Sequence, residues 1–192
     1  MSYRKSAAME KTQSSGEFSE SQRAGLDVRQ ADQDRTLAGI HRLEAMLAAA
    51  APGREQEWRS EVLAALVALE EATAEEADNA QAPDSLLSDL ARTQPWLRNR
   101  VRGVRLQYQQ IRHSLGSLRK EMEEATGPAD YADMRQRLGG VLTGLRHQRA
   151  RESDLIYEAY YDAFRADLAT EANRKTPTDR HQPTDKPEQD ND

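Results

Sequence analysis

The residues best placed to do chemistry are Tyr108, Gln148, Arg149 and Glu152. At about 100° per residue, each falls at or near the inward phase of an otherwise apolar helical stripe. Glu44 also falls near an inward phase. A carboxylate inside a helical core is costly unless it is paired, hydrogen-bonded or bound to metal. Glu70 and Glu76 lie near the stripe of another helix, whereas Glu71 and Glu75 point outward. Tyr108, Gln148 and Glu152 therefore suggest a buried hydrogen-bond cluster. The same residues, with Glu70 or Glu76, are the candidates for a vestigial or variant metal site. The histidines do not join them by phase: His41, His113 and His147 fall on outer faces, and His181 lies far along the C-terminal tail.

The elements that must position these residues follow from breakers and periodicity. Pro52-Gly53 and Gly127-Pro128 interrupt helical patterns, and Pro83 and Pro95 bracket a short segment, Asp84 to Thr93. The intervals predict four helices, about 29–51, 54–79, 95–125 and 129–170. The first carries Leu37, Ile40, Leu43 and Leu47 on one face. The second carries Trp58, Val62, Leu66 and Leu69, and the third runs from Leu97 and Val101 to Leu118 and Met122. The fourth is apolar from Tyr131 to Leu145, polar at Gln148, Arg149 and Glu152, and apolar again from Ile156. Four such stripes joined by short connections predict an all-α fold, an antiparallel four-helix bundle. Gly139, Gly140 and Gly144 are expected to permit close helix approach rather than to bind phosphate.

Composition bounds the rest. The 192 residues suggest one domain, with charged residues at 31% against 37% hydrophobic and a mean hydropathy of -0.91. So polar a chain is expected to be partly disordered. Residues 1–28 and 173–192 read as disordered tails flanking a bundle at 29–172. The absence of cysteine excludes disulfides, zinc thiolate sites, iron–sulfur clusters and cysteine nucleophiles. The longest apolar run, around Ala45 to Ala51, is too short to span a bilayer. The first residues, MSYRKSAAMEKTQSSG, have no apolar stretch of the kind a secretory signal needs, so a cytoplasmic location is expected. No phosphate-binding loop, dinucleotide fingerprint or H-E-x-x-H motif occurs, and no catalytic triad can be nominated.

Charge is segregated by helix. From Arg54 to Asn79 there are eight acidic and two basic residues; from Arg92 to Lys120 there are eight basic residues and no acidic one. Arg98, Arg105, Arg112 and Arg119 recur every seven residues beside the third stripe. They are expected to pair with the acidic second helix. The weaker alternative is a surface for an anionic partner, but interleaved aromatics are lacking and the net charge is -6, so nucleic acid is not the expected partner.

The stretch LRHQRARESDLIYEAYYDAF, Leu145 to Phe164, resembles the last helix of the haemerythrin-like, or HHE cation-binding, family. The resemblance extends more weakly over roughly 140 residues, from the first predicted helix through the fourth. It implies a bundle around a di-iron centre that carries oxygen, senses oxygen, peroxide or redox state, or handles iron. It also implies a ligand set rich in histidine. His147 and Glu152 reproduce the family's last-helix spacing as spelled, whereas the register set by the following Asp-Leu-Ile-Tyr-Glu-Ala run puts the imidazole position on Gln148; Ile40 and Tyr108 stand at two further imidazole positions, and no histidine lies between His41 and His113. The expectation is a degenerate member without a cofactor, acting as a non-catalytic binding or structural module. An unidentified protein partner would be met through the surface or the tails, and no membrane is involved. A variant non-haem iron protein is the alternative.

Overall fold

The computed structural model describes residues 17–49, 52–124 and 131–175. Among the described residues there are six α-helices, one 3-10 turn and no strand. They are α1 (Glu20–Ala48), α2 (Glu55–Gln81), α3 (Leu86–Thr93), α4 (Arg98–Glu124), α5 (Tyr131–Ala159) and α6 (Tyr161–Lys175); the 3-10 turn, Pro95–Leu97, leads into α4. Residues Phe18–Tyr161 form one compact unit, and the described residues from Asp162 onward belong to a second, which is helical. No described helix is long and apolar enough to cross a membrane.

Within Phe18–Tyr161, α1 packs on α2, α2 on α4, α4 on α5, and α5 back on α1. The shared core draws Ile40 and Leu43 from α1, Trp58, Val62, Leu66 and Leu69 from α2, Ile111, Leu115 and Leu118 from α4, and Leu138, Leu142 and Leu145 from α5. All eight positions of the predicted Leu97–Met122 stripe are buried. Burying a Leu, Ile or Val side chain contributes about 1.5–3 kcal/mol, so these stripes are what make the long, polar helices stable. At Gly39 an added Cβ would sit 3.1 Å from the Leu69 side chain, which marks a close approach of α1 to α2.

Helix ends are satisfied from neighbouring elements. Ser19 caps α1 in a reciprocal box with Gln22. Gly53 turns the chain between α1 and α2 with φ of 80°, a left-handed conformation that glycine adopts without strain. Arg135 donates to the Ala49 carbonyl just past α1 at 2.7 Å and lies over the Trp58 ring. Arg59 donates to the Met122 carbonyl in the last turn of α4. The Trp58 indole donates to the Met46 carbonyl at 2.9 Å.

Four expectations need correction. α1 begins at Glu20 and α6 runs to Lys175, so residues 20–28 and 173–175 of the expected tails are helical; the Ser19–Gln22 capping box starts α1. The Asp84–Thr93 segment contains a separate helix, α3, which buries Leu86, Leu87 and Leu90. The last predicted helix is divided at Tyr160 into α5 and α6. Finally, a Cβ at Gly139, Gly140 or Gly144 would meet nothing within 4 Å, so these glycines are not points of close helix approach among the described residues. The remaining tail residues, 1–16 and 176–192, and the Gly127-Pro128 breaker lie outside the described residues.

Candidate functional site

The polar break in the α5 stripe meets a polar break in α1, and the two enclose a buried cluster. From α1 come Asp32, Gln33 and Thr36; from α2, Glu76; from α4, Tyr108; from α5, Gln148 and Glu152. All are buried. The Tyr108 hydroxyl donates to Glu152 Oε2 at 2.6 Å and lies 3.1 Å from Glu76 Oε1. The Thr36 hydroxyl donates to Glu76 Oε2 at 2.6 Å. Arg29 approaches Glu152 Oε1 at 3.4 Å and donates to the Ser153 hydroxyl at 2.8 Å. The Asn79 amide donates to Asp32 Oδ2 at 2.9 Å.

Burial dominates the electrostatics. It pushes the Glu76 carboxyl above the usual carboxylate range; the Thr36 and Tyr108 hydrogen bonds and the Arg149 charge oppose this, and the nearby Glu152 adds to it. Burial, reinforced by Glu152 and Glu76, pushes the Tyr108 phenol far above its ordinary value, so it remains a neutral donor. A phenol has one proton, yet this oxygen faces two carboxylates. If Tyr108 gives that proton to Glu152, its contact with Glu76 requires a proton on Glu76. The raised Glu76 pKa agrees with that count.

The other candidates are placed as follows. Gln148 is buried, and its side-chain nitrogen has no hydrogen-bond partner. Arg149 turns aside and donates to the Gln33 carbonyl at 2.5 Å. Glu70 does not join the cluster: it pairs with Arg119 at 2.7 Å on the half-buried flank of α2 and α4. Glu44 is likewise outside the cluster, paired with Arg146 at 2.6 Å. His41, His113 and His147 are exposed.

A cavity of about 250 Å³ opens beside the cluster. Its inner end is formed by Tyr108, Glu76, Glu152 and Asp32, with Arg29 and Asn79 at the side. Its walls come from Ala24 and Val28 of α1, Ala80 of α2, Leu86 and Leu87 of α3, and Ala82, Asp84 and Ser85 of the connection between α2 and α3. The N-terminal part of α1 and the start of α3 thus help to build the site. Sequence reasoning missed Arg29, Asp32, Thr36 and Asn79, which look like surface residues of a polar segment. All four fall within the predicted helices 29–51 and 54–79, so the S-x-x-Q capping box at Ser19–Gln22 adds only the earlier start of α1.

The heptad arginines divide into two pairs. Arg112 and Arg119 pair with Asp78 and Glu70 of the acidic α2, as expected. Arg98 and Arg105 instead serve α3: Arg98 donates to the Ala91 carbonyl at 2.8 Å, and Arg105 to the Ser88 hydroxyl at 2.7 Å. Each of the four arginines thus has an intramolecular partner.

The donor set at the cluster consists of carboxylates and a phenol. It does not match the histidine-rich set that a di-iron centre of the haemerythrin-like kind requires. Among the described residues, no group of three or more His, Cys, Asp or Glu is arranged to hold a metal ion. No protein-family model, curated protein or solved structure matches the chain.

Proposed function

We propose that this chain is an antiparallel four-helix bundle of the haemerythrin-like kind in which a hydrogen-bonded core replaces the di-iron centre. In this reading it is a cytoplasmic, non-catalytic binding or structural module. The antiparallel arrangement is supported by partner residues that ascend one helix while descending the next. Between α1 and α2, Thr36 meets Glu76 and Met46 meets Trp58. Between α2 and α4, Glu76 meets Tyr108 and Glu70 meets Arg119. Between α4 and α5, Tyr108 meets Glu152 and Glu121 meets Arg137. Between α5 and α1, Glu152 meets Arg29 and Arg135 meets Ala49. α3 is then an addition between the second and third long helices.

The observation that carries the functional reading is the Tyr108 hydroxyl between Glu76 and Glu152. The family register puts Tyr108 at an imidazole position, and its hydrogen bonds go to carboxylates. The test is metal content by elemental analysis after expression in iron-rich medium. The reading expects no stoichiometric iron. Two tightly held irons per chain, with oxo-bridge absorbance, would overturn it. Iron that is retained by the wild type and lost in Tyr108→Phe and Glu152→Ala would instead make this a variant non-haem iron protein with oxygen ligands.

A further inference from the structure

We propose that the seam between α1 and α5 is built to open and re-close, with Asp89 of α3 as the clasp that holds it shut. The seam is distinctive first in chain order. Its polar partners stand 86 to 124 residues apart, so no turn ties α1 to α5. It is distinctive also in chemistry. Each hydrogen bond or ion pair described across it uses an arginine: Arg29 on Glu152 and Ser153, Arg149 on the Gln33 carbonyl, Arg146 on Glu44, and Arg135 on the Ala49 carbonyl. Such long side chains lose rotamer freedom when they bridge, and the exposed Arg146–Glu44 pair contributes at most about 1 kcal/mol. α1 and α2, by contrast, meet at the close approach of Gly39 to Leu69.

Buried polar groups supply an independent reason. Among the described residues, four buried side-chain nitrogens have no hydrogen-bond partner, those of Gln33, Arg105, Arg135 and Gln148. Three of the four stand on the helices of this seam: Gln33 on α1, and Arg135 and Gln148 on α5. The fourth, Arg105, sits against α3. A buried donor without a partner is costly, and water satisfies it once the helices part. The closed seam therefore stores free energy that opening releases. This offsets part of the cost of uncovering Ile40, Leu43, Leu142 and Leu145.

α3 closes one end of the seam. Asp89 accepts from Gln22, in the first turn of α1, at 2.9 Å, and from the Tyr160 hydroxyl, just past α5, at 2.7 Å. The Phe18 ring, just before α1, lies 5.5 Å from the Tyr160 ring. One carboxylate thus joins the start of α1 to the end of α5. The opposite seam, between α2 and α4, keeps its Glu70–Arg119 and Asp78–Arg112 pairs and acts as the hinge.

The chain has no cysteine, so a single introduced thiol reports opening at one place. Gln148→Cys reads the seam from α5, and Ile40→Cys reads it from α1, so a folding failure in one leaves the other. Thr73→Cys, one turn from Glu70, reads the hinge side of α2. All three parent side chains are buried. Labelling of the full-length chain by dithiobis-nitrobenzoate is followed against urea, whose effect scales with the surface that an opening exposes. The two seam thiols should react about tenfold or more faster than the hinge thiol, with a shallow urea dependence. The hinge thiol should react only with the steep dependence of unfolding. In the Ile40→Cys background, Gln33→Leu and Gln148→Met each remove an unpartnered donor and should slow labelling about fivefold or more. Tyr160→Phe keeps the ring, loosens the clasp and should speed labelling about fivefold. Equal, steep urea dependence at seam and hinge would overturn the proposal. So would unchanged or faster labelling in both Gln33→Leu and Gln148→Met, or unchanged labelling in Tyr160→Phe.

Discussion

At the scale of single residues, the cluster holds opposite stability lessons in neighbouring side chains. Tyr108 supplies the hydroxyl that two buried carboxylates share. Tyr108→Phe keeps the ring and removes that hydroxyl, so it should destabilise the chain by about 1–3 kcal/mol in urea unfolding. Gln148 is buried with an unpartnered side-chain nitrogen. Gln148→Met keeps its length and removes the orphan donor; it should leave stability unchanged or raise it by about 1 kcal/mol. A large loss in the methionine variant would show that the amide is satisfied in solution. Tyr108, Gln148 and Glu152 were legible in the sequence because they interrupt long apolar stripes, where a polar residue stands out against its neighbours. Asp32, Gln33 and Thr36 were not. They lie on a part of α1 with no apolar stripe, and a buried polar residue in a polar segment resembles an exposed one. Their burial follows from packing against other helices, and spacing within α1 does not encode those partners.

At the scale of elements, α3 is the part whose role was least legible and is most open to test. Its eight residues are too few to show a convincing helical period, and the prolines at 83 and 95 make the segment resemble a loop. Its three leucines nevertheless bury, its Ser85 cap accepts from the Ser88 backbone, and Arg98 and Arg105 of α4 hold it from the side. Such a helix has little stability alone and depends on its docking. Leu90 is fully buried, so Leu90→Ala should cost about 2–5 kcal/mol. Hydrogen exchange should show the loss as faster exchange of α3 amides, with smaller changes in the Trp58–Leu69 core. Uniform acceleration throughout Phe18–Tyr161 would mean that α3 folds as one cooperative unit with the long helices. The four long helical stripes, by contrast, were legible because each repeats over many turns. The break at Tyr160 was not, because neither Gly nor Pro marks it.

For the molecule as a whole, the titration of buried carboxyls should shape how stability depends on pH. The Glu76 pKa is raised in the folded chain, chiefly by burial. Between its unfolded value and that raised value, the folded state binds more protons than the unfolded state. Its contribution is therefore fully present below the unfolded pKa and is lost as pH rises through the folded one. Asp89 behaves in the opposite sense. Burial opposes its ionisation, but hydrogen bonds from Gln22, Tyr160 and Arg92 outweigh burial and hold its pKa below the usual value. Its contribution is present above the unfolded pKa and is lost as pH falls through the folded one. Urea unfolding across the acidic to neutral range should separate the two. Glu76→Gln should remove a decline in stability on the rising-pH side, because the amide cannot ionise. Asp89→Asn should weaken the chain at neutral pH and flatten its loss toward acid. The first variant tests the cavity end of the core and the second tests the anchor of α3, which shares no hydrogen bond with the cluster. Their effects should add in the double variant. A large departure from additivity would mean that the docking of α3 and the protonation of Glu76 are coupled through the cavity wall they share.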